Sequence, residues 1–284
     1  THSVDRRCYY HRGNVGIGCT NLASHRKKHK NQYSCLSSCI RMMNQQIYIP
    51  SLASTNAYLQ NRLQEESLEE GTLVYTSFQT SGRGQLTNTW ESQADKNLLL
   101  SLLLCPTWLP IREQFVLSQA VALGVVDFLS VYASGFRVKW PNDIYWQDKK
   151  IAGILIENNL QAAQIGSSIV GIGLNINQLE FLSDAPNPIS LAQITGKQFD
   201  LASCLNALHK AVLSRYWQAK NNPLQVRQDY LNVLYRYRTW AMFQDESGVF
   251  EGYICDVEPK GYLHLIDRNQ NERRYAFKEV HFIL

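Results

Sequence analysis

The chain holds 284 residues, 45% of them hydrophobic, which is enough for one large core and a small second domain. No apolar run approaches the ~20 residues of a membrane helix; the longest, Leu98 to Leu104, is broken by Ser101 and fits a buried strand. The net charge of +4 hides an asymmetry, since residues 1–43 carry eight Lys/Arg against Asp5 alone and the remainder carries a net −3. The body is therefore not a nucleic-acid binder by charge.

Cysteines divide in the same way. Cys8, Cys19, Cys35 and Cys39 lie in the basic segment, while Cys105, Cys204 and Cys255 are scattered singly. An odd total without framework spacing, and no signal peptide at the start, points to a reducing cytoplasm. Within residues 1–43, His25-x3-His29 and Cys35-x3-Cys39 could be read as a zinc cluster, but the spacings match tetrahedral zinc poorly and no zinc site is expected. The segment shows neither helical nor strand periodicity. Its first methionines are Met42 and Met43, so residues 1–42 are expected to be disordered and either upstream or vector-derived. A chain of native origin that begins near Thr1 would refute this.

From Gln46 the pattern becomes regular. Ile47-Tyr48-Ile49 reads as a short strand, and Ser54, Thr55 and Asn56 are good N-caps for a helix over Ala57, Leu59 and Leu63. A helix start also offers unpaired N–H groups to a ligand. Gly71 to Phe78 is a strand that delivers Gln79 and the loop Ser81-Gly82-Arg83-Gly84-Gln85. Glycines flanking an arginine let backbone N–H groups and a guanidinium close over an anion. The loop is not a Walker loop, because no Gly-Lys-Ser/Thr follows. Lys96 to Leu104 is the next strand, and Arg112 to Tyr132 a long buried helix.

Arg137 to Glu157, RVKWPNDIYWQDKKIAGILIE, concentrates the chemistry. A strand through Phe136, Val138 and Trp140 stops at Pro141, which cannot donate to a ladder, and an apolar strand resumes at Ile151. Alternation puts Arg137, Lys139 and Pro141 on one face and Val138 and Trp140 on the other. Asn142-Asp143 is a turn signal, Gln147 to Lys150 the return turn, and Gly153 leaves room for something to approach the second strand. Lys139, Asn142, Asp143, Lys149 and Lys150, framed by Trp140, Tyr145 and Trp146, suit a phosphorylated or carboxylated ligand with a planar part. The plainer alternative is a polar hairpin with solvated lysines.

Gln164 to Asn177 is another strand, ending in Gly171-x-Gly173; a dinucleotide fingerprint is rejected there because Ile176 stands where the third glycine belongs. A loop follows from Leu179 to Ser190, of the kind that often forms a lid, then helices over Leu201 to Lys220 and Leu224 to Tyr235. Tyr237 to Gln244 reads as a join, and Ser247 to Leu284 as three or four short alternating strands.

Three blocks in order carry a family resemblance: Gln79-Thr80-Ser81-Gly82-Arg83-Gly84 with Trp90; Lys139-Trp140-Pro141-Asn142-Asp143 with Lys150-Ile151-Ala152-Gly153-Ile154-Leu155-Ile156-Glu157; and Gly171-Ile172-Gly173-Leu174-Asn175-Ile176-Asn177. Together they resemble the signature of biotin–protein ligases over residues 46–284. The resemblance implies an α+β fold, with a central mixed β-sheet and packed helices like those of class II synthetases and biotin ligases. It also implies a small C-terminal SH3-like β-barrel, with domain bounds of 44–237 and 238–284.

The activity implied is ATP-dependent activation of biotin as biotinyl-5′-AMP, then transfer to a lysine of a biotin carboxyl carrier protein. ATP and Mg²⁺ would serve it, in the cytoplasm, with neither nucleic acid nor membrane as partner and a homodimer allowed. By the same resemblance Ser54, Thr55, Asn56, Gln79, Gly82, Gly84 and Gly153 line the biotin pocket, and Arg83 and Lys150 meet the biotin carboxylate and the α-phosphate. Lys139, Asn142 and Asn175 serve the nucleotide and Mg²⁺, and Asp143 accepts a hydrogen bond from the acceptor amine. Gln85, Leu86 and Thr87 depart from the family's basic and glycine positions, which bears on how tightly the loop closes and how long the adenylate is held. No helix-turn-helix pattern is visible in residues 1–43, so a ligase without repressor activity is expected. The rivals are a lipoate or octanoate ligase or transferase of the same fold, and a biotin-sensing nucleic-acid-binding repressor.

Overall fold

The computed structural model describes residues 45–85, 88–162, 164–182 and 187–284. The expectations for the basic segment 1–43, its zinc spacing included, and for Leu86 and Thr87 fall outside the described residues. Strand β1 (Gln46–Leu52) leads into α1 (Thr55–Glu65), then β2 (Leu73–Gln79) and β3 (Leu98–Leu104). A 3₁₀ turn (Ile111–Glu113) precedes α2 (Phe115–Ser130), followed by β4 (Phe136–Lys139), β5 (Asp143–Trp146), β6 (Lys149–Gln161) and β7 (Gln164–Leu174). Helices α3 (Leu191–Thr195), α4 (Leu201–Asn221) and α5 (Pro223–Asn232) complete this part.

The seven strands form one mixed sheet in the order β1-β2-β3-β7-β6-β5-β4, with β1 and β2 parallel and every other pair antiparallel. Beside the central strand β7 lies β3, LLLSLLL, buried along its whole length. Side chains alternate across a strand, so Leu98, Leu100, Leu102 and Leu104 join the core shared with α2 and α4, whereas Leu103 packs against Leu59 of α1 with Val74 and Ile169. Helices thus cover both faces, which explains why β3 reads as an unbroken apolar run rather than an alternating one. Ser101 falls on the α1 face.

The sequence treats residues 140–150 as a break and a turn. The structure instead forms β5 there, so that β4, β5 and β6 make two successive hairpins. Lys150 consequently sits inside β6 and not on a turn. Four residues framed by Pro141-Asn142 and Gln147-Asp148 are too few to show a period, which hid this strand. The Trp140–Pro141 peptide bond is cis.

The C-terminal strands β8 (Ala241–Asp245), β9 (Gly248–Val257), β10 (Leu263–Asp267), β11 (Glu272–Tyr275) and β12 (His281–Phe282) form an antiparallel sheet in the order β11-β10-β9-β8-β12. The expected SH3-like module is present as a sheet, but β11 and β12 remain its two edges, so no closed barrel forms among the described residues. Residues 241–244, assigned from sequence to the join, belong to the strand β8, which pairs with β9. Trp140 Nε1–H donates to the Gly261 carbonyl at 2.9 Å, and the Phe115 N–H to the Pro259 carbonyl at 3.1 Å, tying this sheet to β4 and α2. No helix among the described residues is long and apolar enough to cross a membrane.

His209 on α4 is 1% exposed, and neither ring nitrogen has a partner. Burial alone pushes its pKa down to about 4 from 6.5. The folded chain thus holds a neutral ring while the unfolded chain takes up a proton below pH 6.5. Stability is full above that pH and falls as pH drops towards 4, by up to about 3 kcal/mol. His209→Leu is expected to flatten this slope, measured as urea midpoints at pH 7 and pH 5. Equal losses in both proteins would refute the assignment.

Candidate active site

The α1 face of the sheet is scooped out between β6 and β7. Gly153 and Gly173 are register partners across these strands, and Leu155 pairs with Gly171. The Trp90 indole lies across the gap: a Cβ at Gly173 would stand 2.4 Å from the ring, and one at Gly153 3.0 Å from it. The approach for which Gly153 leaves room is that of Trp90. A Cβ on Gly171 would come 2.4 Å from Oδ1 of Asn56. Three missing side chains therefore make a floor, and the loop after β2 supplies a wall.

Around this floor runs a hydrogen-bonded chain. Gln79, at the end of β2, accepts from the backbone N–H of Thr55 at 2.8 Å, and its Oε1 lies 3.2 Å from the Thr55 hydroxyl. Ser101 Oγ is 2.8 Å from Thr55 Oγ1 and donates to Asn56 Oδ1 at 2.5 Å. Asn56 Nδ2–H donates to Glu157 Oε2 at 2.7 Å and to the Leu155 carbonyl at 3.3 Å. Glu157 Oε1 in turn accepts from Arg83 Nη2–H at 2.7 Å. Of the three capping candidates only Ser54 caps, accepting from the Ala57 N–H. Thr55 and Asn56 turn inward, 4% and 3% exposed, because Ser101, Gln79 and Glu157 satisfy them there.

Arg83 and Lys150 line one cavity of about 970 Å³, together with Ser54, Thr55, Asn56, Gln79, Gly84, Lys139, Asn142, Asp143, Gly153 and Asn175. Gly82 does not line it; its carbonyl accepts from the Trp90 N–H at 3.0 Å and so braces the wall. Neither main cation stands alone. Arg83 pairs with Glu157, and Lys150 Nζ lies 2.7 Å from Asp143 Oδ1 and 5.7 Å from the Trp90 ring centre. Lys139 Nζ lies 4.7 Å from the Tyr145 ring centre and 5.2 Å from that of Phe282. Burial lowers its pKa, with Asp143 acting against and Lys150 and Arg236 acting with that shift.

The amides are partly committed. Asn142 Nδ2–H donates to the Ile154 carbonyl at 2.8 Å, and Asn175 Nδ2–H to the Ile189 carbonyl at 3.1 Å. Asn175 Oδ1 and Gln85 Oε1 are buried without a donor. A buried acceptor without a partner costs of order 1–3 kcal/mol, so a ligand that brings a donor gains there. Among the described residues no group of three or more His, Cys, Asp or Glu could hold a metal ion. That arrangement fits Mg²⁺ only as an ion carried by phosphates and water, which is its usual mode.

Other contributors escape the sequence reading. Trp90 and Glu157 stand inside the matched strings but were given no role. Phe277, Lys278, His281 and Phe282 line the cavity from the C-terminal sheet, and no local signal marks them, because only the packing of that sheet brings them close. The Asp143–Lys150 pair also changes an expectation. Asp143→Asn would free the ammonium that faces the cavity, so if the ligase activity that the resemblance implies is present, first-step activation should fall along with transfer, each by roughly tenfold. Pyrophosphate exchange and single-turnover transfer measure the two, and intact activation with lost transfer would refute the coupling.

Comparison with known proteins identifies relatives in sequence and fold. Residues 48–175 match the Biotin/lipoate A/B protein ligase family. The bifunctional ligase/repressor BirA of Bacillus subtilis is 32% identical over 249 residues, which cover 84% of this chain and 74% of that protein. The protein of the same name from Bacillus spizizenii is 32% identical over 182 residues, where the match spans 62% of this chain and 55% of that one. A biotin protein ligase from Aquifex aeolicus in complex with biotin and ATP superposes with a TM-score of 0.69 at 26% identity, covering 84% of this chain and 100% of that one. Its motifs, fold and relatives make this chain a member of the biotin/lipoate A/B protein ligase family.

Proposed function

We propose that the chain activates biotin with ATP and transfers it to a lysine of a biotin carboxyl carrier protein. The observation that carries this reading is that Arg83 and Lys150, from separate segments, flank one cavity above a glycine floor. In the first step a biotin carboxylate oxygen attacks the α-phosphorus of ATP; the bond to the β-phosphate breaks and pyrophosphate leaves with the electron pair. Two anions must meet, so fixed positive charge and in-line placement carry the rate. Arg83 and Lys150 supply the charge, Lys139 adds a cation for the nucleotide phosphates, and Gln79, Thr55 and the floor hold the biotin ring.

Asn142 and Asn175 offer amide oxygens on the nucleotide side, and Asn175 Oδ1 would meet a magnesium-bound water. Magnesium, when bound, offsets phosphate charge. In the second step the amine of the acceptor lysine attacks the carbonyl carbon of the anhydride, AMP leaves, and the nitrogen sheds a proton. Asp143 Oδ1 is engaged by Lys150, leaving Oδ2 to orient that amine.

The cytoplasm suits this chemistry, and Cys105, Cys204 and Cys255 are free thiols. Neither nucleic acid nor membrane is needed, and a homodimer is compatible with it. Incubation with ATP, labelled pyrophosphate and either biotin or lipoate tests the reading. Exchange that depends on biotin supports it, and exchange that depends on lipoate alone moves the chain to the lipoate branch of the family.

A further inference from the structure

We propose that Glu157 is a positioning residue for Arg83: anchored at one oxygen by Asn56, it fixes the guanidinium above the cavity with the other. The proposal rests on the biotin–ligase reading of the cavity. Alternation along β6 sends Gly153, Leu155 and Glu157 to the same face, but Glu157 is not among the residues that line the cavity. It must therefore act through a neighbour.

A half-exposed ion pair is ordinarily worth little, because two flexible side chains are ordered for one contact. Here one partner is held in advance. Asn56 is 3% exposed, and Ser101, the Leu155 carbonyl and Glu157 all bind its amide. The carboxylate thus stands fixed before Arg83 reaches it. The loop is braced separately, through the Gly84 N–H to the Asn88 carbonyl at 2.7 Å and an isolated bridge between Arg83 and Thr89. Only the direction of the guanidinium is left for Glu157 to decide. Glu157 touches Nη2, and a guanidinium has five N–H donors, so Nη1 and Nε keep donors for a ligand carboxylate or phosphate.

Glu157 lacks the freedom to act as a base, since both oxygens already accept from amide or guanidinium donors. Its contribution is geometric, and it should vanish when Arg83 is absent. Contacting residues show such coupling as non-additive effects.

The test is a double-mutant cycle in biotin affinity by titration calorimetry, using wild type, Glu157→Gln, Arg83→Ala and the double variant. Glu157→Gln alone is expected to weaken biotin binding by about tenfold, the scale of a charge-assisted bond, and to have less than about a twofold effect once Arg83 is alanine. An equal loss in both backgrounds, or none in wild type, overturns the proposal. Glu157→Met, similar in volume but without hydrogen bonds, must reproduce the loss, and melting curves verify that each variant is folded. A wild-type chain that binds lipoate and not biotin would sink the functional reading instead, and the same cycle run with lipoate would still decide the role of Glu157.

Discussion

Lys150→Ala is expected to cut biotin-dependent ATP–pyrophosphate exchange by roughly a thousandfold, the scale seen when one preorganised charge-stabilising group is removed. The ammonium lies between the Asp143 carboxylate and the Trp90 ring, on the wall of the cavity that Arg83 also lines. Only groups held in place before the reaction stabilise developing charge without reorganisation, and Asp143 supplies that hold. The fold should survive the change. At this position β6 uses its backbone, with Lys150 N–H donating to the Asn187 carbonyl at 2.9 Å and the Lys150 carbonyl accepting from Ile189 N–H at 2.9 Å. Circular dichroism should therefore overlay wild type. Exchange at near wild-type rate in a folded variant would mean that another cation carries the first step.

How far this site could be read in the chain depends on whether each residue's role is local. The three motif blocks were legible because each is a strand end with its adjoining loop, and local patterns survive in sequence. Gly171 and Gly173 were visible as glycines, yet their reason, an asparagine from α1 and a tryptophan from the loop after β2, lies some eighty or more positions upstream. Ser101 was read only as a break in an apolar run. Its partners Thr55 and Asn56 show instead why a polar residue sits at the centre of a buried strand. Strand β5 was lost because four residues carry no period, and this misplaced Lys150 on a turn. The C-terminal contribution was out of reach for a different reason. Short strands declare a small sheet, but nothing in them states that Phe282 packs beside Lys139.

Gly171→Ala should weaken biotin binding by roughly a hundredfold, about 3 kcal/mol, while costing the fold far less. The new methyl would stand 2.4 Å from Oδ1 of Asn56, 3.0 Å from its Cγ and 3.1 Å from its Nδ2. Asn56 has nowhere to retreat, since Ser101, Leu155 and Glu157 hold it from three sides. Accommodation must turn the amide, break the chain that ties Gln79 to Arg83 and shift both edges of the cavity. Overpacking of this kind costs about 1–3 kcal/mol, but alanine regains roughly 0.5–1 kcal/mol that glycine loses within a strand. The net effect on the melting temperature should therefore be modest. Adding Asn56→Ala separates the two consequences: it reopens the space, so the steric overlap is relieved, and it removes the amide, so affinity should not recover. Full affinity in the single variant would place the ligand away from the glycine floor. Affinity restored in the double variant would show that space, and not the Asn56 amide, is what the ligand needs.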